Sequence, residues 1–415
     1  MESPRGLLLA LVLILSCGSF SARAEVDNVV TQWHFVAERV VRTLGVPSQI
    51  ASRTFTLVYL SQYKALQLAH KTSGVHPEAA AAYAAHYVLS EIYPTQQSTI
   101  FDGVIDKQIT PLKLSPAVDE ATRKAGLQFA KTLLKKRAYD GSQEWVKFTP
   151  SPPGGPTGKY QFVANQTFVL YPQLATTRPF LLKSVKKYDS HGGPYAIPSA
   201  KYNAEYDELA TIGNANSSKQ TASFKETAKF WEGGANTSTI NGQLLNATLN
   251  IIKHDTSVEE TAKLFAKVSI AQYDSAIAGW QQKFKYLNWR PVTALRQGDP
   301  SHKPIVFTPF LRTPPHPEYP STHSTASGSW AKVVARHLGI SLSEKVPYGS
   351  YTVATEGYPL PSRTYDTLEA AEVEVGVSRI YGGIHFRKSI EDGLLVGEDV
   401  GDYVWEHFEE QFGDL

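Results

Sequence analysis

The chain has 415 residues, 42% of them hydrophobic, enough for one large or two modest domains with a sizeable core. Lys and Arg number 41 against 39 Asp and Glu, a formal net charge of +2. That balance leaves no basic excess to drive binding to nucleic acid or to an anionic membrane surface.

Residues 1–24 read as a secretory signal. Arg5 supplies the positive leader, "LLLALVLILSC" an apolar core, and Ala22-x-Ala24 a cleavage site. That core is too short to span a bilayer, and no other stretch approaches the ~20 apolar residues a transmembrane helix needs. The expectation is a secreted protein with no integral membrane segment. Cleavage would remove Arg5, Arg23 and Glu2 and leave a net charge of +1. It would also remove the single Met (Met1) and the single Cys (Cys17), so a chain starting at Glu25 carries no sulfur. Met and Cys are the side chains most readily oxidised. Their absence fits either compositional drift or a protein that lives beside a strong oxidant. Four N-x-S/T sequons, at Asn165, Asn216, Asn236 and Asn246, fit a secreted glycoprotein.

Helical patterns dominate the rest of the chain, first over about 48–71 and 77–92. At 115 a start signal is explicit. Ser115 stands as N-cap, Pro116 as the first helical residue, with Asp119 and Glu120 in the early turns, Lys135, Lys136 and Arg137 near the end, and Gly141 as the stop. From about 146 to 200 the chain turns to loop chemistry, "TPSPPGGPTGKY" and "HGGPYAIP". Tyr160, Phe162, Phe168 and Phe180 are threaded through it, so it reads as a long ordered loop wrapping the bundle rather than a flexible linker. Helices resume at 218–232 and at 257–287, the latter opened by Ser257-x-x-Glu260, then at 321–337, 367–380 and near the C-terminus. Alternating strand patterns are scarce. The fold class expected is mainly α. The division expected is N-terminal helices (25–145) packed on a core (201–415) that holds an anion site, with 146–200 wrapped over it.

The stretch "PPHPEYPSTHSTASGSW", residues 314–330, carries the first chemistry. Pro320 stiffens the approach to a helix whose first turn holds Ser321, Thr322 and His323. A helix N-terminus offers unpaired N–H groups and the positive end of the macrodipole, and so suits an anion. His323 can move a proton near neutral pH. By itself the stretch could equally be a plain Ser cap followed by a solvent-facing His. Two other segments add cations. "KFKYLNWRP" places Lys283 seven residues before Arg290, and "SRIYGGIHFRKS" places Arg379 six residues before His385, with Gly382 and Gly383 allowing close backbone approach. A fixed guanidinium fork and a point charge together make an oxyanion site.

These three segments resemble the signature of the phosphatidic acid phosphatase type 2/vanadium haloperoxidase superfamily, K-x6-R-P, P-S-G-H and S-R-x5-H-x3-D. Here they read Lys283-x6-Arg290-Pro291, Pro320-Ser321-Thr322-His323 and Ser378-Arg379-x5-His385. The resemblance covers roughly 155–400 and extends to the soluble haloperoxidase branch. It implies a helical bundle of the acid phosphatase/vanadium-dependent haloperoxidase type and one vanadate per chain. His385 would be the metal ligand, and Lys283, Arg290, Ser321, Thr322 and Arg379 would hold the remaining oxygens. His323 would serve as acid/base and Lys283 would stabilise charge on the peroxide. His316 falls where algal bromoperoxidases carry a second pocket histidine. The partners implied are hydrogen peroxide, a halide (bromide first) and a small organic acceptor. Thr322 replaces the signature Gly, tolerable if its side chain turns away from the anion. Ser389 replaces the Asp that orients a nucleophilic His in the phosphatases, and Asp392, two turns on, reads as a surface charge. Two rivals stay open. One is a secreted acid phosphatase with His385 as nucleophile and His323 as leaving-group acid; the other is a non-catalytic oxyanion-binding glycoprotein.

Overall fold

A computed structural model describes residues 27–413 except 164 and 190. The expected signal segment therefore lies outside the described residues. Among those described there are thirteen α-helices: α1 (Val29–Leu44), α2 (Ser48–His70), α3 (Pro77–Ile92), α4 (Asp102–Ile109), α5 (Pro116–Arg137), α6 (Ala200–Glu208), α7 (Ala222–Phe230), α8 (Thr239–Leu249), α9 (Val258–Tyr286), α10 (Pro291–Gln297), α11 (Thr322–Leu338), α12 (Leu368–Tyr381) and α13 (Arg387–Phe412). The mainly α, helical-bundle expectation holds. One short antiparallel hairpin, β1 (Tyr351–Val353) with β2 (Arg363–Tyr365), pairs Tyr351 with Tyr365.

Start signals in the sequence become caps. Ser115 Oγ accepts the Val118 N–H with Pro116 as first helical residue, and Ser257 Oγ accepts the Glu260 N–H at the head of α9. The helix expected over 218–232 begins only at Ala222, because Thr221 caps it by accepting from the Phe224 N–H. The sequence reading missed α1, α4, α6, α8 and α10. Helix α8, "TINGQLLNATL", is buried on nearly every side and so lacks the polar stripe that marks an amphipathic helix.

Helix α9 is the axis of the molecule. Twenty of its 29 residues are buried, and it packs against α2, α11 and α13. The N-terminal helices reach the core through α2, whose Phe55, Leu57, Val58 and Leu60 are all buried in the main cluster. Helices α11 and α13 approach closely because Gly393, Gly397 and Gly401, spaced by four, form one face of α13. A Cβ at Gly397 would stand 2.4 Å from the Thr325 carbonyl, and one at Gly393 2.7 Å from the Ser321 carbonyl. This fixes the first turn of α11 against the first turns of α13, where the signature residues sit.

Residues 142–199 run over the bundle with only short 3-10 turns. Asp274 of α9, fully buried, accepts the backbone N–H groups of Phe180, Leu181 and Leu182 at 2.7, 2.8 and 3.0 Å. Tyr160 and Tyr188 are buried beneath the loop, whereas Phe168 is exposed and lines a cavity. No helix among the described residues is long and apolar enough to cross a membrane.

Candidate active site

Lys283 lies in the last turn of α9, and Leu287 ends the helix in the left-handed region, donating to the Lys283 carbonyl. The chain then passes Asn288 and Trp289 to Arg290, the N-cap of α10. Residues 288–290 lie alongside 316–318. Glu318 N–H donates to the Asn288 carbonyl at 3.0 Å, and Asn288 Nδ2 donates to Glu318 Oε2 at 2.8 Å. Lys283 Nζ donates to the carbonyls of Pro317, Glu318 and Pro320 at 3.1, 2.9 and 2.5 Å. An ammonium has three donors, so in this arrangement Lys283 clamps the 317–320 loop. For it to hold an oxyanion, one carbonyl must be exchanged for the anion.

Arg290 is the hub. Its Nε donates to the His316 carbonyl (2.9 Å), Nη1 to the Ile384 carbonyl (2.9 Å) and to His385 Nε2 (3.1 Å), and Nη2 to His316 Nδ1 (3.0 Å). A guanidinium can only donate, so both ring nitrogens it touches must be lone pairs. The tautomers follow. His316 carries its proton on Nε2, and His385 carries its own on Nδ1, donated to Glu318 Oε1 at 2.8 Å. Ser389 Oγ stands 3.2 Å from the same Nδ1. His385 thus presents a basic Nε2, the state a metal ligand or a nucleophile needs.

The third segment closes the site. Arg379, buried near the end of α12, donates from Nε to Ser378 Oγ and from Nη2 to the Ala228 carbonyl. Gly383, at φ 71°, makes the turn to His385; a Cβ there would meet the Gly213 carbonyl at 2.3 Å. Ser321, the N-cap of α11, donates its N–H to the Ser389 carbonyl and accepts at Oγ from Ser324. Thr322 turns its methyl to α9, where a Cβ on Gly279 would come within 3.1 Å of it. His323 is half-buried and donates from Nε2 to the Glu232 carbonyl, which leaves Nδ1 as acceptor.

A cavity of about 500 Å3 descends to this cluster, and its floor includes His316, Thr322, His323, Arg379 and His385. All eight residues singled out in the sequence converge. His316, His323, Arg379, Thr322 and His385 line the cavity; Lys283, Arg290 and Ser321 stand in the layer behind it. Burial, reinforced by Arg290 and Lys283, holds His385 and His316 well below the ordinary imidazole range. Burial and Arg379 bring His323 to about 3. All three rings are therefore neutral at pH 7. Burial lowers Arg290 and Arg379 to about 10, still charged at neutral pH. Burial, then Arg290, pushes the Lys283 amine well below its usual range, and burial raises Glu318, so the dependable charge excess is the two buried guanidinium groups against one carboxylate, which an oxyanion fits.

Two readings of the sequence need correction. The orienting carboxylate missing at Ser389 is supplied from another segment by Glu318, three residues before Ser321, which also accepts the Phe386 N–H at 3.1 Å. The only signal for it was an acidic residue within a proline run that lacks a basic neighbour. Asp392, expected at the surface, is buried. It accepts from Tyr319 OH (2.5 Å) and Lys388 Nζ (2.7 Å) and so braces the loop beside Glu318 without touching His385.

Fold and site together define a helical bundle whose cavity suits an oxyanion and has a neutral, carboxylate-held histidine among its lining residues. Residues 263–414 match the family described as VCPO second helical-bundle domain. The vanadium chloroperoxidase of Curvularia inaequalis is 29% identical over an alignment covering 30% of this chain and 27% of that protein, so the match spans about a quarter of the curated relative. The fold matches a bacterial vanadium-dependent iodoperoxidase with a TM-score of 0.75 at 23% identity, covering 91% of this chain and 95% of that one. It also matches the holo form of a bacterial vanadium-dependent chloroperoxidase, with a TM-score of 0.70 at 17% identity, covering 95% of this chain and 100% of that one. The family match over residues 263–414, the curated relative and the fold neighbours all point to vanadium haloperoxidases as the proteins this chain resembles.

Proposed function

We propose that the protein is a secreted vanadate-dependent haloperoxidase that oxidises halide, bromide first, with hydrogen peroxide. The balance is H2O2 + X− + H+ giving HOX and H2O, followed by R–H + HOX giving R–X and H2O on an organic acceptor. The observation that carries the reading is the His385 Nε2 lone pair, fixed by Glu318 and set among Lys283, Arg290 and Arg379 at the cavity floor. Vanadate, one per chain, supplies when bound a redox-inert Lewis acid that activates peroxide.

The protein's own groups do the rest. His385 would bind through Nε2. Arg290, Arg379, the Ser321 hydroxyl and the Thr322 N–H in the first turn of α11 would hold the oxygens. His323 would take a peroxide proton at Nδ1 once the negative charge of the bound anion offsets the burial and the Arg379 charge that hold it at about 3. Lys283, released from one of its three carbonyls, would stabilise negative charge there. His316 offers its Nε2–H from the cavity wall.

Secretion is supported by the leader-like residues 1–24 and by the exposure of Asn165, Asn216 and Asn236. Asn246 fits poorly as a glycan site. Its Nδ2 donates to buried Glu38 and its Oδ1 accepts from His34.

A second reading, an acid phosphatase with a phosphohistidine at His385, gains from the Glu318 contact, since that carboxylate would orient a nucleophile equally well. One assay separates them: purified protein with bromide, hydrogen peroxide and a β-diketone acceptor, with and without orthovanadate. Vanadate-dependent bromination supports the first reading. Vanadate-inhibited phosphate release without bromination supports the second.

A further inference from the structure

The floor of the cavity is cationic, but its upper end has a different chemistry. One face of α9 runs along it: Lys283 behind the floor, then Ala276, then Gln272. Eleven residues separate Lys283 from Gln272, ~16 Å along the helix at 1.5 Å per residue. Gln272 is 1% exposed, lines the cavity, and has no protein partner for either Nε2 or Oε1. Thr239, at the head of α8, lines the same space with its buried Oγ1 also unpartnered. Its backbone is held at φ 65°, a left-handed conformation that is costly for a β-branched residue and tends to mark functional sites. Part of the lining is apolar, with Leu170, Leu311, Pro314 and Ile384 set beside polar Arg312, Thr313 and Asn241, and Phe168 is the exposed aromatic of the lining.

A buried amide with a donor and an acceptor both unmatched costs stability unless a ligand matches them. Nothing in the binding of vanadate, peroxide or halide at the floor uses Gln272. We propose that Gln272 and Thr239 form a binding subsite for the neutral polar end of an elongated organic acceptor, one offering paired donor and acceptor such as a carboxamide. Its electron-rich ring then lies along that partly apolar lining, near His316 and His323. The inference rests on the haloperoxidase reading for the fate of that ring, but binding at the subsite does not depend on turnover. It also directs the oxidant to a bound acceptor rather than releasing it all to the medium. A site built around hydrogen bonds discriminates strongly against an analogue that lacks them.

The test uses two phenols of similar length, 3-(4-hydroxyphenyl)propanamide and 4-butylphenol, with the vanadate-loaded protein. The expected result is a KM about tenfold lower for the amide than for the alkyl phenol, with kcat nearly equal. Gln272→Leu should erase that preference while leaving the KM for peroxide and for bromide unchanged. It should also raise Tm, since it removes an unmatched buried amide. Thr239→Val, which keeps the shape of the side chain, should reduce the preference in part, and it carries the test if Gln272→Leu does not fold. Equal KM values for the two phenols in the native protein, or a preference retained in both variants, would overturn the proposal. Calorimetric titration of the amide without peroxide separates the two claims. Gln272-dependent binding without halogenation would retain the subsite and sink the haloperoxidase reading; halogenation without such binding would do the reverse.

Discussion

The molecule buries two clusters in which histidine meets glutamate, and they differ in one respect that matters. In the first, between α1, α2 and α8, His34 accepts at Nδ1 from Tyr59 OH (2.6 Å) and donates at Nε2 to Asn246 Oδ1 (2.9 Å), while Asn246 Nδ2 donates to Glu38 (2.8 Å). Arg42, half-buried, reaches both Glu38 and Glu356. In the second, His385, His316 and Glu318 share their space with Lys283 and Arg290. The first has its polar atoms matched within the protein and cationic charge no greater than anionic. The second carries more buried positive charge than Glu318 can balance, and it opens onto a cavity. A buried His–Glu contact alone is a structural motif. An excess of buried cations beside it is what suits a cavity to an anion.

Substitutions put that distinction to the test. The largest effect belongs to His385→Ala, which removes the Nε2 lone pair. Vanadate-dependent bromination should fall to the level seen without added vanadate, and normal turnover in this variant would sink the assignment of His385. Next is Glu318→Gln, which keeps the shape but removes the charge that holds His385. A loss of about 10- to 100-fold in vanadate affinity is expected, read by titrating apoprotein with orthovanadate. Adding Ser389→Asp to that variant should restore part of it, because Ser389 already stands 3.2 Å from Nδ1.

The enclosed cluster should respond in stability and not in activity. Burial, then the nearby Glu356 carboxylate, raises Glu38 from 4.5 to about 8 against the pull of Arg42. The folded state thus binds a proton that the unfolded state releases between pH 4.5 and about 8. Glu38's contribution to stability is fully present below the lower value and declines as pH rises, by no more than about 1.4 kcal/mol per pH unit. Glu38→Gln should flatten that decline in thermal melts from pH 5 to 9 and leave the vanadate titration unchanged. A weakened vanadate response would erase the contrast between the clusters. The smallest effect is expected for Ser389→Asp alone. With Glu318 already in place, a second carboxylate should shift phosphate-ester hydrolysis by less than about threefold, since removing a surrounding partner is what costs 10-fold or more. A large gain would mean that Glu318 does not orient His385.

Much of this was readable from residues near one another in the chain. Ser115 and Ser257 announced their helices because a cap is a contact within four residues. Seven of the eight site residues could be named because each signature segment is a local device: a helix end, a helix start, a Gly-Gly turn; His316 was named only through the family resemblance. Helix α8 was missed because burial on all sides erases periodicity. Glu318 was missed because its meaning depends on His385, 67 residues away.

The linear order of residues was enough to set the helical class, the caps, and the three segments that bring cations and histidines to one cavity. Caps, periodicity and turns are short-range physics, and a chain carries them from one residue to the next. Long-range packing settled the rest: Glu318 and not Ser389 supplies the carboxylate for His385, Asp392 is buried against Tyr319, and Lys283 grips the loop. Those outcomes depend on which groups lose water together. That is fixed when α9, α11 and α13 close on one another, not by the identity of any residue along the chain.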